Sequence, residues 1–128
     1  MNEGSTRDRG RAVEAQVATF LTERGLRILE ANVERCGAEI DLIAVDPRHG
    51  EPEYVFVEVR SRASDDRGTP LETVNTAKQR RIVRAATAWL VERDLWEQVA
   101  VRFDVVGAIV SGVEVAPLFE WIENAFEA

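Results

Sequence analysis

Cysteine, histidine and lysine occur once each in this 128-residue chain, as Cys36, His49 and Lys78. One cysteine and one histidine exclude a disulfide framework and any Cys/His zinc site. Long hydrophobic runs are missing too. The stretch Val105-Val106-Gly107-Ala108-Ile109-Val110 is among the longest, against the ~20 apolar residues of a membrane helix. The opening residues, Met1 to Arg11, are polar and lack an apolar core, so no secretory signal is expected and the cytoplasm is the expected compartment. Positive charge is in deficit: 16 basic against 23 acidic residues leave a net charge of −7. That balance argues against a uniformly basic nucleic-acid-binding domain.

The charge is, however, segregated. Arg60 to Arg84 contains seven basic and three acidic residues, whereas Glu114 to the end contains four Glu and no base. A basic patch on an acidic protein is therefore available. At 45% hydrophobic and 30% charged the chain is an ordinary globular one, of a length that suits a single domain.

The pattern predicts a flexible tail over residues 1–7 and one domain over 8–128. A first helix is expected from Asp8 to Arg24, with Val13, Val17, Phe20 and Leu21 as its apolar stripe and Gly25 as its stop. Strands follow at Leu26–Val33, Glu39–Val45 and Tyr54–Arg60, the last two joined by a hairpin loop. A polar loop, Ser61 to Val74, precedes a second helix capped by Asn75 or Thr76 and running to Arg93. Its buried face is Ile82, Ala86, Trp89 and Leu90. A strand over Val101–Val110 turns at Ser111-Gly112 into another at Val113–Ala116, and a short closing helix is expected from Pro117. Trp89, Trp96 and Trp121 are all expected in the core. The order α-β-β-β-α-β-β predicts an α/β fold, one mixed sheet with helices packed on it.

Two of the strands carry charge where burial predicts apolar residues. Strict alternation puts Ile40, Leu42 and Ala44 on one face and Glu39, Asp41 and Ile43 on the other. In the next strand Phe56, Glu58 and Arg60 share a face. If Val45 pairs with Tyr54, counting back sets Asp41 opposite Glu58, with Cβ atoms ~4.5–5.5 Å apart. Two carboxylates that close repel unless a proton or a cation lies between them. Mg²⁺ suits such a site. The plainer alternative is an exposed polar face with ion pairs, and Glu14, beside the first helix's stripe, reads more readily as a solvated flank than as a site residue. Asp104, between apolar neighbours, is expected to make structural hydrogen bonds.

Gly10-Arg11-Ala12-Val13-Glu14, Glu39-Ile40-Asp41-Leu42-Ile43-Ala44, Val55-Phe56-Val57-Glu58-Val59-Arg60-Ser61-Arg62, Lys78-Gln79-Arg80-Arg81-Ile82 and Arg102-Phe103-Asp104-Val105-Val106 stand in the order and spacing of the YraN-like family. The terminal Asn124-Ala125-Phe126 also looks like that family's ending. The chain resembles this bacterial group from residue 9 to 126. The group in turn is similar to archaeal Holliday-junction resolvases and to the PD-(D/E)xK nucleases.

The resemblance implies a restriction-endonuclease-like fold and a metal-dependent DNA endonuclease. Catalytic roles would fall on Glu14, Asp41, Glu58 and Arg60, and metal-binding roles on Asp41, Glu58 and Glu14, with Mg²⁺ or Mn²⁺ as cofactor. Phosphate contacts would fall on Arg62, Lys78 and Arg81, with Arg80 and Arg84 pointing outward, and the partner would be DNA, branched DNA included. A homodimer is compatible with it. The chain departs from the pattern at Arg60, where the E-x-K motif has lysine, and at Val13 and Ala38, where the family usually has Gly. Arginine keeps the charge but does not yield a proton near neutral pH. Two further readings therefore stand beside the endonuclease: a nucleic-acid-binding protein that has lost cleavage, and a protein-interaction module that binds no nucleic acid.

Overall fold

Val17 and Leu21, one helical turn apart, are both fully buried, which fixes the first helix against the sheet. The computed structural model describes residues 3–63, 70–110 and 116–128. Helix α1 spans Glu3–Glu23, so its backbone begins before the Asp8 start read from the sequence. Gly25, at φ +103°, ends it as expected: Leu26 N–H donates to the Leu21 carbonyl and Gly25 N–H to that of Thr22, a left-handed cap that only glycine adopts without strain.

Five strands follow around a second helix: β1 (Arg27–Arg35), β2 (Ala38–Asp46), β3 (Glu53–Ala63), α2 (Thr76–Glu92), β4 (Ala100–Val110) and β5 (Leu118–Phe126). The order α-β-β-β-α-β-β is the expected one, and it forms a single mixed sheet flanked by the two helices. β1, β2 and β3 make an antiparallel meander, β3 and β4 run parallel with α2 as the crossover, and β5 returns antiparallel to β4. Val45 pairs with Tyr54 as the hairpin count required.

Each face of the sheet has its own core. Under α1 lie Val17, Leu21, Leu42, Ala44, Val55, Val57 and Val106. Under α2 lie Ile40, Ile43, Phe56, Ile82, Ala86, Trp89, Leu90 and Phe103, with the Phe56 and Trp89 rings meeting edge to face. Asn75 caps α2, its side chain accepting the Lys78 N–H at 2.8 Å, a contact worth ~1 kcal/mol.

Several expectations need correction. Ile40 does not share a face with Leu42; it is buried with Ile43 on the α2 side. The strict alternation of β2 breaks at Asp41, where the β2–β3 pairing ends at Leu42 and Val57 and where the β1 neighbour Asn32 is left-handed at φ 55°. Residues 118–126 form an edge strand rather than a closing helix, because Phe119 and Trp121 alternate inward against Phe20. The expected turn at 111–112 and most of the strand at 113–116 lie outside the described residues. β3 reaches Ala63, so the Ser61–Val74 loop is shorter than expected, and Leu71–Thr73 within it is a single 3-10 turn. Trp96 is 44% exposed and not a core residue.

Asp104 does make structural hydrogen bonds. It is fully buried and accepts from Arg102 Nε and Nη2, Trp121 Nε1 and the Asn124 N–H at 2.9 to 3.0 Å. Arg102 Nη1 continues to Asp46 at 2.8 Å and Glu53 at 3.0 Å, tying β2, β3 and β4 together at one end of the sheet.

Candidate active site

At the other end of β2, Asp41 and Glu58 meet. Glu58 projects toward α2 and is only 4% exposed, so the Glu58–Arg60 ion pair weighed from the sequence is present but its carboxylate is not on an exposed face. Asp41 is partly buried beside Glu58, one step beyond the Leu42–Val57 pair, and its carboxylate accepts the Val59 N–H at 2.7 Å. Burial and then the neighbouring Glu58 charge push the Asp41 carboxyl up, to about 8, against the opposing Val59 hydrogen bond, and the Glu14 charge adds to the rise. The hairpin register sets Asp41 beside Glu58. Beyond Leu42 the strands no longer pair, and the Asp41 side chain takes up a backbone N–H of β3.

Glu14 comes from α1, on the opposite face of the sheet from α2. It is half-buried, not a fully solvated flank, and accepts from Asn32 Nδ2 at 2.6 Å. Its field reaches Asp41. The three carboxylates thus come from α1, β2 and β3 to the end of the sheet where the β2–β3 pairing stops. They do not close into a tight triad: among the described residues, the one trio of ligand atoms within 4.8 Å of each other is Asp46, His49 and Glu123. That trio belongs to the arginine network. Arg48 donates to both Asp46 oxygens and holds its carboxyl far below the usual range, and Arg102 donates to Asp46 as well.

Two cations flank Glu58 from different elements. Arg60 Nη1 lies 3.2 Å from Glu58 Oε2, while its Nε donates to Thr73 Oγ1 at 2.9 Å and its Nη2 to the Thr73 carbonyl at 3.0 Å. Lys78 Nζ, on the first turn of α2, lies 3.8 Å from the same Oε2. Arg62 is half-buried two residues further along the Arg60 face, and Arg62, Arg60, Ser61 and Thr73 line a groove floored by Gly107. Gly107 is the register partner of Arg60, and a Cβ there would run into the Pro70 ring. The missing side chain lets the Pro70–Thr73 segment sit on β4 and present Thr73 to Arg60. Arg80, Arg81 and Arg84 are exposed on α2.

The structure therefore brings Glu14, Asp41, Glu58, Arg60 and Lys78 to one end of the inner strands β2 and β3, with Arg62 alongside and Arg81 outside it. Sequence reasoning missed Asn32, which holds Glu14, and Thr73, which holds Arg60. Asn32 gave a faint signal, since asparagine inside a strand-like run is the residue most at ease in a left-handed bend after glycine. Thr73 gave none.

The oxygen-only donor set suits a hard divalent cation. A buried glutamate in contact with a second carboxylate is the arrangement such an ion relieves, so the residues present fit Mg²⁺ or Mn²⁺.

An α/β domain with a carboxylate cluster and two cations where the pairing of two inner strands stops is the class of protein this fold defines. By sequence the chain belongs to the uncharacterised protein family UPF0102, the YraN family, whose model matches residues 13–108. It is 41% identical over 126 residues to a UPF0102 protein of Marinobacter nauticus, covering 98% of this chain and 97% of that one. It is 42% identical over 127 residues to a UPF0102 protein of Chromohalobacter salexigens, covering 99% and 97%. To a UPF0102 protein of Anaeromyxobacter dehalogenans it is 46% identical over 118 residues, covering 92% and 83%. No helix among the described residues is long and apolar enough to cross a membrane.

Proposed function

We propose that this chain is a metal-dependent endonuclease that hydrolyses phosphodiester bonds of DNA. The observation that carries the reading is the apposition of Asp41 and Glu58, a carboxylate pair on two adjacent inner strands with one member almost wholly buried. Such a pair costs stability in a metal-free protein, and perturbed carboxyls of this kind cluster at functional sites. Asp41 and Glu58, with Glu14 from the other face, would hold Mg²⁺ or Mn²⁺. When bound, the ion would supply Lewis-acid polarisation of the phosphate and a more acidic water. The chain's own residues do the rest. Val59 N–H and Asn32 fix the orientation of Asp41 and Glu14. Lys78 would place positive charge where the phosphate gains negative charge, and Arg60 holds Glu58 in place. Arg62 and Arg81 extend that charge along the strand backbone, where contacts position the nucleic acid and are blind to sequence.

A second reading is favoured by the bonding of Arg60. Its guanidinium is engaged by Thr73 and Glu58 and does not act as a base at neutral pH, which fits a binding protein that no longer cuts. One assay separates the two: incubation with branched, flapped and linear DNA, with Mg²⁺, with Mn²⁺ and with EDTA. Metal-dependent cleavage supports the first reading. Salt-sensitive binding without cleavage supports the second, and no binding at low salt sinks both.

A further inference from the structure

Arg60 and Lys78 approach the same oxygen of Glu58, yet they are held in opposite ways. Arg60 spends its Nε and Nη2 on Thr73 and its Nη1 on Glu58, at 2.9, 3.0 and 3.2 Å. This fork ties the 3-10 turn before α2 to β3. Lys78 has a backbone anchored by Asn75 at the helix start, and its ammonium reaches Glu58 Oε2 only at 3.8 Å, as an ion pair longer than a hydrogen bond. Its side chain is 32% exposed, so it borders both the buried carboxylate and solvent. It is also the sole lysine of the sequence, in a chain whose other fifteen bases are arginine. Arginine's planar fork matches the Thr73 bonding. A compact ammonium with three rotatable donors matches a site where one charge must follow a reacting phosphate.

We propose that Lys78, projecting from α2, is a catalytic residue of this site and takes the electrostatic role that the strand position 60 does not, while Arg60 is a positioning residue that fixes Glu58 and the Pro70–Thr73 segment. The inference rests on the endonuclease reading above. Lys78 donates from its ammonium to a non-bridging oxygen of the scissile phosphate, opposite the carboxylates. No proton leaves the side chain.

The test combines kinetics with a signal that needs no turnover. Single-turnover cleavage and DNA affinity in Ca²⁺ are measured for the natural protein, Lys78→Ala and Lys78→Arg. Lys78→Ala is expected to lose ~100- to 1,000-fold in rate, the usual cost of one electrostatic donor, with DNA affinity changed less than tenfold. Lys78→Arg, which keeps the charge, is expected to recover a tenth or more of the natural rate. In parallel, reductive methylation with ¹³C-formaldehyde labels Lys78 as the one side-chain amine. Mn²⁺ alone should broaden its resonance in the natural protein and not in Asp41→Asn. Cleavage by the natural protein that Lys78→Ala leaves within threefold, or a Lys78 resonance that Mn²⁺ does not broaden, overturns the inference and leaves the endonuclease reading standing. Absence of metal-dependent cleavage by the natural protein overturns that reading and the inference with it.

Discussion

Asp41 accepts the backbone N–H of Val59 at 2.7 Å, taking with its side chain a place that a β2 carbonyl would hold in an unbroken ladder. The same carboxylate lies beside Glu58, and burial, followed by the Glu58 charge, raises its proton affinity. A raised carboxyl pKa has a definite sign in stability. Below about pH 4 the folded and unfolded chains both hold the proton, and nothing is lost. As pH climbs from there to about 8 the unfolded chain has released it while the folded one retains it, and stability falls. In EDTA, Asp41→Asn should therefore melt higher than the natural protein at pH 8.5, with the difference shrinking toward pH 4. Asparagine can still accept from Val59. Parallel melting curves for the two proteins across that range would contradict the account.

Gly107 permits the approach of Pro70, and through it the seat of Thr73. Gly107→Ala is expected to destabilise by ~1–3 kcal/mol, the range for overpacking a tight site, as read from denaturant midpoints. It should also lower any cleavage rate, because the Arg60–Thr73 fork loses its base. A variant as stable as the natural protein would show that the loop yields freely.

The buried network at the far end of the sheet predicts a purely structural effect. Arg102→Met leaves Asp104 and Asp46 without their main buried partner and should cost ~3–5 kcal/mol. Charge removal on both sides, Arg102→Met with Asp104→Asn, should recover part of that loss. If the single variant melts normally, the network contributes little.

The exposed face of α2 predicts a binding effect without a catalytic one. Arg81→Glu should weaken DNA binding equally for all sequences and reduce the slope of log affinity against log salt by ~1. An unchanged slope would mark Arg81 as a solvated side chain.

Much of this was legible beforehand, for stated reasons. The stripes of α1 and α2 and the alternation of β3 are periodic, and periodicity survives folding: Val17, Leu21, Ile82 and Trp89 are buried as expected. The Asp41–Glu58 contact followed from counting a hairpin register, because Val45 does pair with Tyr54. What the pattern could not carry was the break at Asp41, where Ile40 changes face, since one left-handed residue in the neighbouring strand resets the alternation. Nor could it show that residues 118–126 are a strand. Phe119 and Trp121 belong to that edge only because Phe20 of α1 is there to meet them, a partner remote in sequence. The shared approach of Arg60 and Lys78 to one oxygen is of the same kind. It depends on how α2 is seated, which Gly107 and Thr73 decide.

The central claim is that the buried carboxylate of Glu58 serves metal-dependent cleavage. Its most direct test is the single-turnover rate on a branched DNA with Mn²⁺ for the natural protein and for Glu58→Gln, whose amide oxygen can still accept from Arg60. The account predicts cleavage by the natural protein that EDTA abolishes, and a loss of at least ~100-fold in Glu58→Gln at unchanged DNA affinity. Equal rates for the two proteins would contradict it.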